Sequence, residues 1–404
     1  QGDYRRDTML FKKSPPSTRN DTSFGYLSTN EHYFDSACQT LRPREVIDAE
    51  TTYYREYNAC GGRVKYRWGQ RVDDTVAKAR AAILKAAGKD SRDYAVAFTL
   101  NTTYGINLVL QQLPEKTYRH IVTSNIEHNS VMVPSMAFAR RRGIPLSVLP
   151  RETNGTLRYE AQNLENAVVL LNTMSNIDGR TLPNASTLAT DAHAAGGVLL
   201  VDAAQAFAHD RGSLRAVDFD AAFGSAHKAY GPSLGFIVIR RSLLSSLEPF
   251  FLGGGTVSDV RPDGFDILTG NQAHEALETG LQNWGGIVGF DAALRWLETQ
   301  NTDHERTLAT TLWEGLREFP RVHPINTKAS SIISFSVEGL DAHKLALLLG
   351  EQGIMCRSGY FCCHRYLLHE RALPPLLRVS LGLHNTAADV DALLTTLRSI
   401  LSAF

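Results

Sequence analysis

The stretch GVLLVDAAQAFAHDRGSLRAVDFDAAFGSAHKAYGP, residues 197–232, decides how this chain is read. It opens with a short apolar, β-branched run, GVLLV, of the kind a sheet buries on both faces. The first polar side chains, Asp202 and Gln205, follow at the carboxyl end of that run. A second short run, DAAFGS, leads to Lys228 in a loop punctuated by Gly231 and Pro232. In an open α/β sheet both ends face the crevice outside the carboxyl ends of the strands. Taken singly, each residue has an ordinary reading: Asp after a strand is often a helix cap, and Lys in such a loop is usually solvated. Together, a carboxylate and a lysine are what pyridoxal phosphate asks of a protein. The lysine supplies a Schiff-base amine, and the carboxylate keeps the ring nitrogen protonated so that the ring can act as an electron sink.

Outward from this stretch the pattern repeats. YAVAFTL (94–100), RHIVTSN (119–125), IPLSVLP (144–150), NAVVLLNTMS (166–175) and LGFIVIR (234–240) read as further strands. INLVLQQL, SVMVPSMAFARRRG and ASTLATDAHAAGG between them suit crossover helices. The alternation predicts an α/β domain with a mainly parallel sheet. After Gly254 and Gly255 the pattern changes. WGGIVGFDAALRWLETQ reads as a long helix, SIISFSVEG and LLRVSLGL as strands, and residues 386–404 as a closing helix with Thr386 at its N-cap. We therefore expect a large domain over 31–298 and a smaller α+β domain over 299–404, joined by the N-terminal segment 1–30.

Composition narrows the partners. Across 404 residues, 42 basic side chains balance 42 acidic ones, which gives no net electrostatic reason to expect nucleic acid or an anionic membrane surface. No apolar stretch approaches the ~20 residues of a membrane helix, and the opening QGDYRRDTML has no apolar signal core. Residue 1 is Gln rather than Met, so a trimmed start is expected. The expectation is a cytoplasmic enzyme acting on a small molecule. Five cysteines, Cys38, Cys60, Cys356, Cys362 and Cys363, are few and odd in number, which argues against a disulfide framework and leaves reactive or buried thiols. Adjacent cysteines chelate poorly and paired CxxC spacing is absent, so no metal is expected.

The remaining needs of the cofactor have candidates at other strand ends. Thr102 and Thr103 open a helix whose free N–H groups and dipole favour a phosphate, unless they merely cap it. Ser225 and His227 flank the lysine and can donate to the same phosphate. His128 in SNIEHNSVMVP can stack on the ring, although a capping role is the ordinary alternative. Asn176 and Gln205 can each polarise the phenolic oxygen.

From YFDSACQTLRPREVIDA (33–49) through RVSLGLHNT (378–386), the chain resembles fold-type I pyridoxal phosphate enzymes of the class V aminotransferase group, within them the cysteine desulfurase and selenocysteine lyase family. SAHKAYGP resembles that family's lysine motif, EHNSVMVP its stacking-histidine motif and VDAAQ its ring-nitrogen motif. The resemblance implies that Lys228 forms the Schiff base, Asp202 pairs with the ring nitrogen, His128 stacks and Gln205 meets the phenolic oxygen. Thr103, Ser225 and His227 would hold phosphate, and a homodimer is implied. In CRSGYFCCHRYL (356–367), Arg357, Gly359 and Cys362 match the family's catalytic-loop spacing, which makes Cys362 the nucleophile that takes sulfur from L-cysteine or selenium from L-selenocysteine. Arg378 resembles the arginine that clamps the substrate carboxylate, with a structural ion pair as the alternative.

Four departures stand out. Leu281 occupies the place of a threonine that reaches the partner subunit's phosphate, and YNACGGRVKYRWG (57–69) lacks a histidine-rich pattern. Tyr360 and Phe361 give Cys362 an apolar approach, and Cys363 replaces a small residue, either as a second thiol or as a buried hydrophobe. The implied activity is L-cysteine to L-alanine with a persulfide on Cys362, passed to a sulfur-acceptor protein. The alternatives are an aminotransferase, epimerase or C–S lyase without a cysteine nucleophile, and a weakly active sulfur-transfer scaffold.

Overall fold

A computed structural model describes residues 23–62 and 64–404. β1 (His32–Tyr33) lies apart from the main sheet. That sheet has seven strands: β2 (Tyr94–Thr99), β3 (His120–Ser124), β4 (Leu146–Leu149), β5 (Ala167–Asn172), β6 (Val198–Asp202), β7 (Ala221–Ser225) and β8 (Gly235–Arg240). Their order is β2-β8-β7-β6-β5-β3-β4, and only β8 runs against its neighbours. Each of the seven apolar runs read from the sequence is one of these strands.

Period-2 alternation sorts the strand side chains into two cores. Val169 and Leu171 of β5 join Val122, Leu199 and Val201 on one face, while Val168 and Leu170 join Ile121 and Leu200 on the other. Helices Arg67–Ala87 and Trp284–Glu298 cover the first face through Val72, Ile83, Ile287 and Phe290. Helices Thr102–Gln112 and Asn129–Arg142 cover the second through Ile106, Val109, Val131 and Phe138. Both faces are sealed, so the strand edges are where ligands can reach.

An exposed antiparallel hairpin follows, β9 (Val257–Arg261) with β10 (Gly264–Ile267). β11 (Val322–Pro324), β12 (Ile332–Val337), β14 (Arg357–Gly359) and β15 (Leu376–Ser380) then build a second sheet in the order β11-β12-β15-β14. β13 (Ile354–Met355) pairs in parallel with β1 instead. A separate core forms against this sheet around Phe335, Leu312, Leu316, Leu393 and Leu397. The closing helix, Ala387–Ala403, starts at a capping box in which Asp389 Oδ2 accepts from the Thr386 N–H at 2.7 Å, and its face from Val390 to Leu401 packs on that core.

Of the N-terminal segment, residues 1–22 lie outside the described residues. Phe24 packs edge-on against Trp296 at 5.6 Å and against His384 at the same distance, and β1 follows directly. Among the described residues no helix is long and apolar enough to cross a membrane.

Candidate active site

The register pairs Asn172 with Asp202 and Asp202 with Phe223, so the residues following β5, β6 and β7 step along one edge of the sheet. A cavity of about 280 Å³ opens there, at the carboxyl ends of the parallel strands. Of the twelve site residues named from the sequence, all but Gln205 line it, and Gln205 borders a small adjoining void. Arg357, Cys362 and Arg378 reach the cavity from the second sheet and its loops, so both halves of the chain build it.

The fit to pyridoxal phosphate starts with Asp202. It is buried, and its hydrogen-bond partner among the described residues is the Ala204 N–H at 2.9 Å. Burial raises its pKa, against the pull of Lys228. A carboxylate held this way gains most from a cationic N–H, which a protonated pyridine ring provides. Lys228 Nζ has no hydrogen bond among the described residues, and burial lowers its pKa more than Asp202 raises it, which favours the neutral, nucleophilic amine. Gln205 Nε2 donates to the Ala37 carbonyl at 2.7 Å, and its Oε1 is buried without a partner.

Hydroxyls and backbone donors gather at one end. The helix Thr102–Gln112 is capped by Asn101, whose side chain accepts from the Tyr104 N–H at 2.9 Å. Thr102 and Thr103 are therefore its first two residues rather than its cap, and their N–H groups are free of intrahelical bonds. The Thr102 N–H donates to Ser225 Oγ at 3.1 Å, the Thr102 and Ser225 hydroxyls lie 2.8 Å apart, and Thr103 Oγ1 is 2.6 Å from Ser130 Oγ. This set suits a phosphate dianion.

His128 takes the capping role that the sequence allowed, and it also reaches the cavity. It caps the helix Asn129–Arg142, its Nδ1 accepting the Ser130 N–H at 3.0 Å, and its ring lines the cavity. The accepting Nδ1 places the ring proton on Nε2. Burial, followed by Lys228, Arg378 and Arg357, pushes its pKa down to about 3, so the ring is neutral. His227 is pushed down to about 4 by burial and by Lys228. Neutral imidazoles can lie against an aromatic ring without opposing its protonated nitrogen.

The catalytic-loop candidates separate clearly. Phe361 and Cys362 have φ values of 49° and 59°, a left-handed turn held by Asn176 Nδ2 donating to the Phe361 carbonyl and by the Asn129 N–H donating to that of Cys362. Cys362 thus meets the cavity from a turn anchored on both sides. Cys363 is buried away from it, donates to Asn176 Oδ1 at 3.4 Å, and has its pKa raised by burial. Arg378 is 2% exposed. It pairs with Asp35 at 3.0 Å, donates to the Asn176 carbonyl, lies over the Phe361 ring and keeps an unpartnered Nε. The structural ion pair that the sequence offered as the alternative is present, and it leaves Nε unengaged.

Sequence reasoning missed two features. The first is a fully buried pair, Arg151 and Glu127, 3.3 Å apart. Glu127 accepts from the Asn172 N–H and Nδ2 at 2.8 and 2.7 Å and from Ser124, tying the ends of β3 and β5 together beside His128. The second is Cys38, which lines the cavity and accepts from Arg357 Nη1 at 2.6 Å.

The model of the aminotransferase class-V family matches residues 32–393. The chain belongs to that family. Among curated members it is 31% identical to the cysteine desulfurase CsdA of Escherichia coli, over 89% of this chain and 92% of that one. It is equally identical to a probable cysteine desulfurase of Haemophilus influenzae, over 90% and 84%. Among solved structures, the apo cysteine desulfurase of Thermococcus onnurineus superimposes with a TM-score of 0.85 at 27% identity, covering 93% of this chain and 95% of that one. CsdA in an S-sulfonic acid form gives 0.84 at 28%, covering 95% and 97%. The fold is therefore the class V fold with its pyridoxal phosphate requirement. Within this class V chain, Leu281 is 78% exposed, while the neighbouring Thr279 and Gln282 side chains bond within the chain, to the carbonyls of Phe251 and Glu278.

Proposed function

We propose that this chain is a pyridoxal phosphate-dependent cysteine desulfurase that converts L-cysteine to L-alanine and holds the sulfur on Cys362. The observation that carries the reading is that Cys362 shares one cavity with Lys228 and Asp202. Aminotransfer needs no nucleophile besides the lysine amine, whereas sulfur abstraction needs a thiolate in the same cavity. When bound, pyridoxal phosphate supplies an aldehyde for amines and a protonated ring that stores an electron pair.

The chain's residues divide the remaining work. Asp202 would hold the ring nitrogen's proton, His128 would lie against the ring, Gln205 and Asn176 would serve the phenolic oxygen, and Thr102, Thr103, Ser225 and His227 would hold phosphate. Lys228 Nζ would hold the cofactor and is the amine placed to move protons at the substrate's α-carbon. Arg378 Nε, aided by Arg357, orients the substrate carboxylate. Cys362 Sγ takes the substrate sulfur, so that an S–S bond forms as the substrate's C–S bond breaks.

The same reading extends to L-selenocysteine, to a sulfur-acceptor protein, to a cytoplasmic setting, and to a division into a large domain 31–298 and a small domain 299–404. A homodimer is favoured by the exposed apolar side chains Phe250, Phe251, Val260, Phe265 and Leu281. The test is incubation of the holoenzyme with L-cysteine and reductant, followed by assay of alanine. Alanine formed at an undiminished rate by Cys362→Ala would overturn the assignment of the nucleophile, and turnover of other amines in its place would favour an aminotransferase.

A further inference from the structure

The cavity contains a second thiol, and it is not Cys363. Cys38 and Cys362 both line it, whereas Cys363 is buried behind the turn. We infer that Cys38 is a sulfur-carrying thiol of the same reaction, receiving the substrate-derived sulfur from Cys362. This rests on the desulfurase reading above.

Three observations support it. First, Cys38 is fixed rather than loose. The Cys38 N–H donates to the Asp35 carbonyl at 3.0 Å, and the preceding Ala37 is held by Ser380 Oγ at 2.9 Å and by Gln205 Nε2 at 2.7 Å. The Thr40 N–H donates to the His227 carbonyl at 2.9 Å. Both sheets thus pin the segment to the cavity wall. Second, its sulfur meets guanidinium groups: Arg357 Nη1 lies 2.6 Å away, and Arg378 interacts with it electrostatically. The thiolate is the form of a cysteine that attacks sulfur. Third, Arg357 and Cys362 stand on one short segment, so the guanidinium that holds Cys38 lies five positions from the persulfide-bearing residue.

The step balances without an added oxidant or reductant. Cys38 thiolate attacks the outer sulfur of the Cys362 persulfide. The new bond joins Cys38 Sγ to that sulfur, the S–S bond to Cys362 breaks, and Cys362 leaves as thiolate and takes up a proton. One persulfide and one thiol stand on each side. Cys362 is then free to take sulfur from a second substrate while the first waits on Cys38.

The experiment mixes holoenzyme with L-cysteine without external reductant, quenches with an alkylating agent, and follows both the alanine burst and the sulfur on each peptide. Arg357 and Arg365 bracket Cys362, so the two thiols fall in different tryptic peptides. We expect sulfur on both in the wild type, Cys362 first, and on neither in Cys362→Ala. Cys38→Ser should keep sulfur on Cys362 and halve the alanine burst. Sulfur on Cys362 alone in the wild type, with an unchanged burst in Cys38→Ser, overturns the inference and leaves the desulfurase reading standing. Sulfur on Cys38 in Cys362→Ala also overturns it, because Cys38 would then take sulfur from substrate directly. No sulfur on either peptide removes the desulfurase reading and the inference with it.

Discussion

Replacing His128 with Asn should flatten the acid limb of the apoprotein's stability. In the folded chain the pKa of His128 falls from an ordinary 6.5 to about 3, chiefly through burial. Between those values the unfolded chain binds one proton at this site and the folded chain binds none, so stability rises with pH. The contribution is therefore complete above pH 6.5 and is lost as pH falls towards 3. Each pH unit in that window costs up to ~1.4 kcal/mol, or about 3 kcal/mol by pH 4 before allowing for the ring's partial exposure. Asn keeps an acceptor for the Ser130 N–H and so preserves the helix cap. His227, pushed down to about 4, titrates in both proteins and cancels in the difference. Urea unfolding at pH 7.5 and at pH 4 should show the wild type losing about 2–3 kcal/mol more than the variant. Coincident losses would refute the claim that His128 stands neutral in the cavity wall.

Four further outcomes follow. Arg151→Met leaves Glu127 buried without its counter-charge and should cost about 3–5 kcal/mol in urea unfolding; a loss below about 1 kcal/mol would mean that the pair is not buried as described. Gly224→Ala places a Cβ 2.1 Å from Phe236 Cζ, directly before Ser225, and should destabilise by about 1–3 kcal/mol. An unchanged melting temperature would contradict that packing. Lys228→Ala should lose the visible absorbance that wild-type protein gains with pyridoxal phosphate, and an identical spectrum would remove Lys228 from the cofactor. Cys363→Ala should leave alanine formation within about threefold, a barrier change below ~1 kcal/mol, and loss comparable to Cys362→Ala would bring Cys363 into the reaction.

The sheet was legible because its strands are short apolar runs with polar residues at their carboxyl ends. GVLLVD and DAAFGS carry their own boundaries, and period-2 alternation then fixes which side chains enter which core. The site followed from those ends, which is why Asp202, Lys228, His128 and Asn176 could be named together. What the sequence hid depends on contacts between distant segments. Cys38 sits in a polar loop with no periodic signal, and it reaches Arg357, 319 positions away, because the pairing of β1 with β13 carries that loop to the second sheet. Glu127 and Arg151 look like loop charges, and only the convergence of strand ends shows them to be buried. Cys363 could be read as a second thiol or as a buried hydrophobe, and the left-handed turn at Phe361 and Cys362 directs one thiol to the cavity and the other to the core.

The central claim is that Cys362 takes sulfur from L-cysteine at a pyridoxal phosphate site. The most direct measurement is the initial rate of alanine formation from L-cysteine by wild-type and Cys362→Ala holoenzyme, matched for bound cofactor by absorbance. The account predicts alanine from the wild type and near-complete loss in the variant with its cofactor spectrum retained. Equal rates from the two proteins would contradict it.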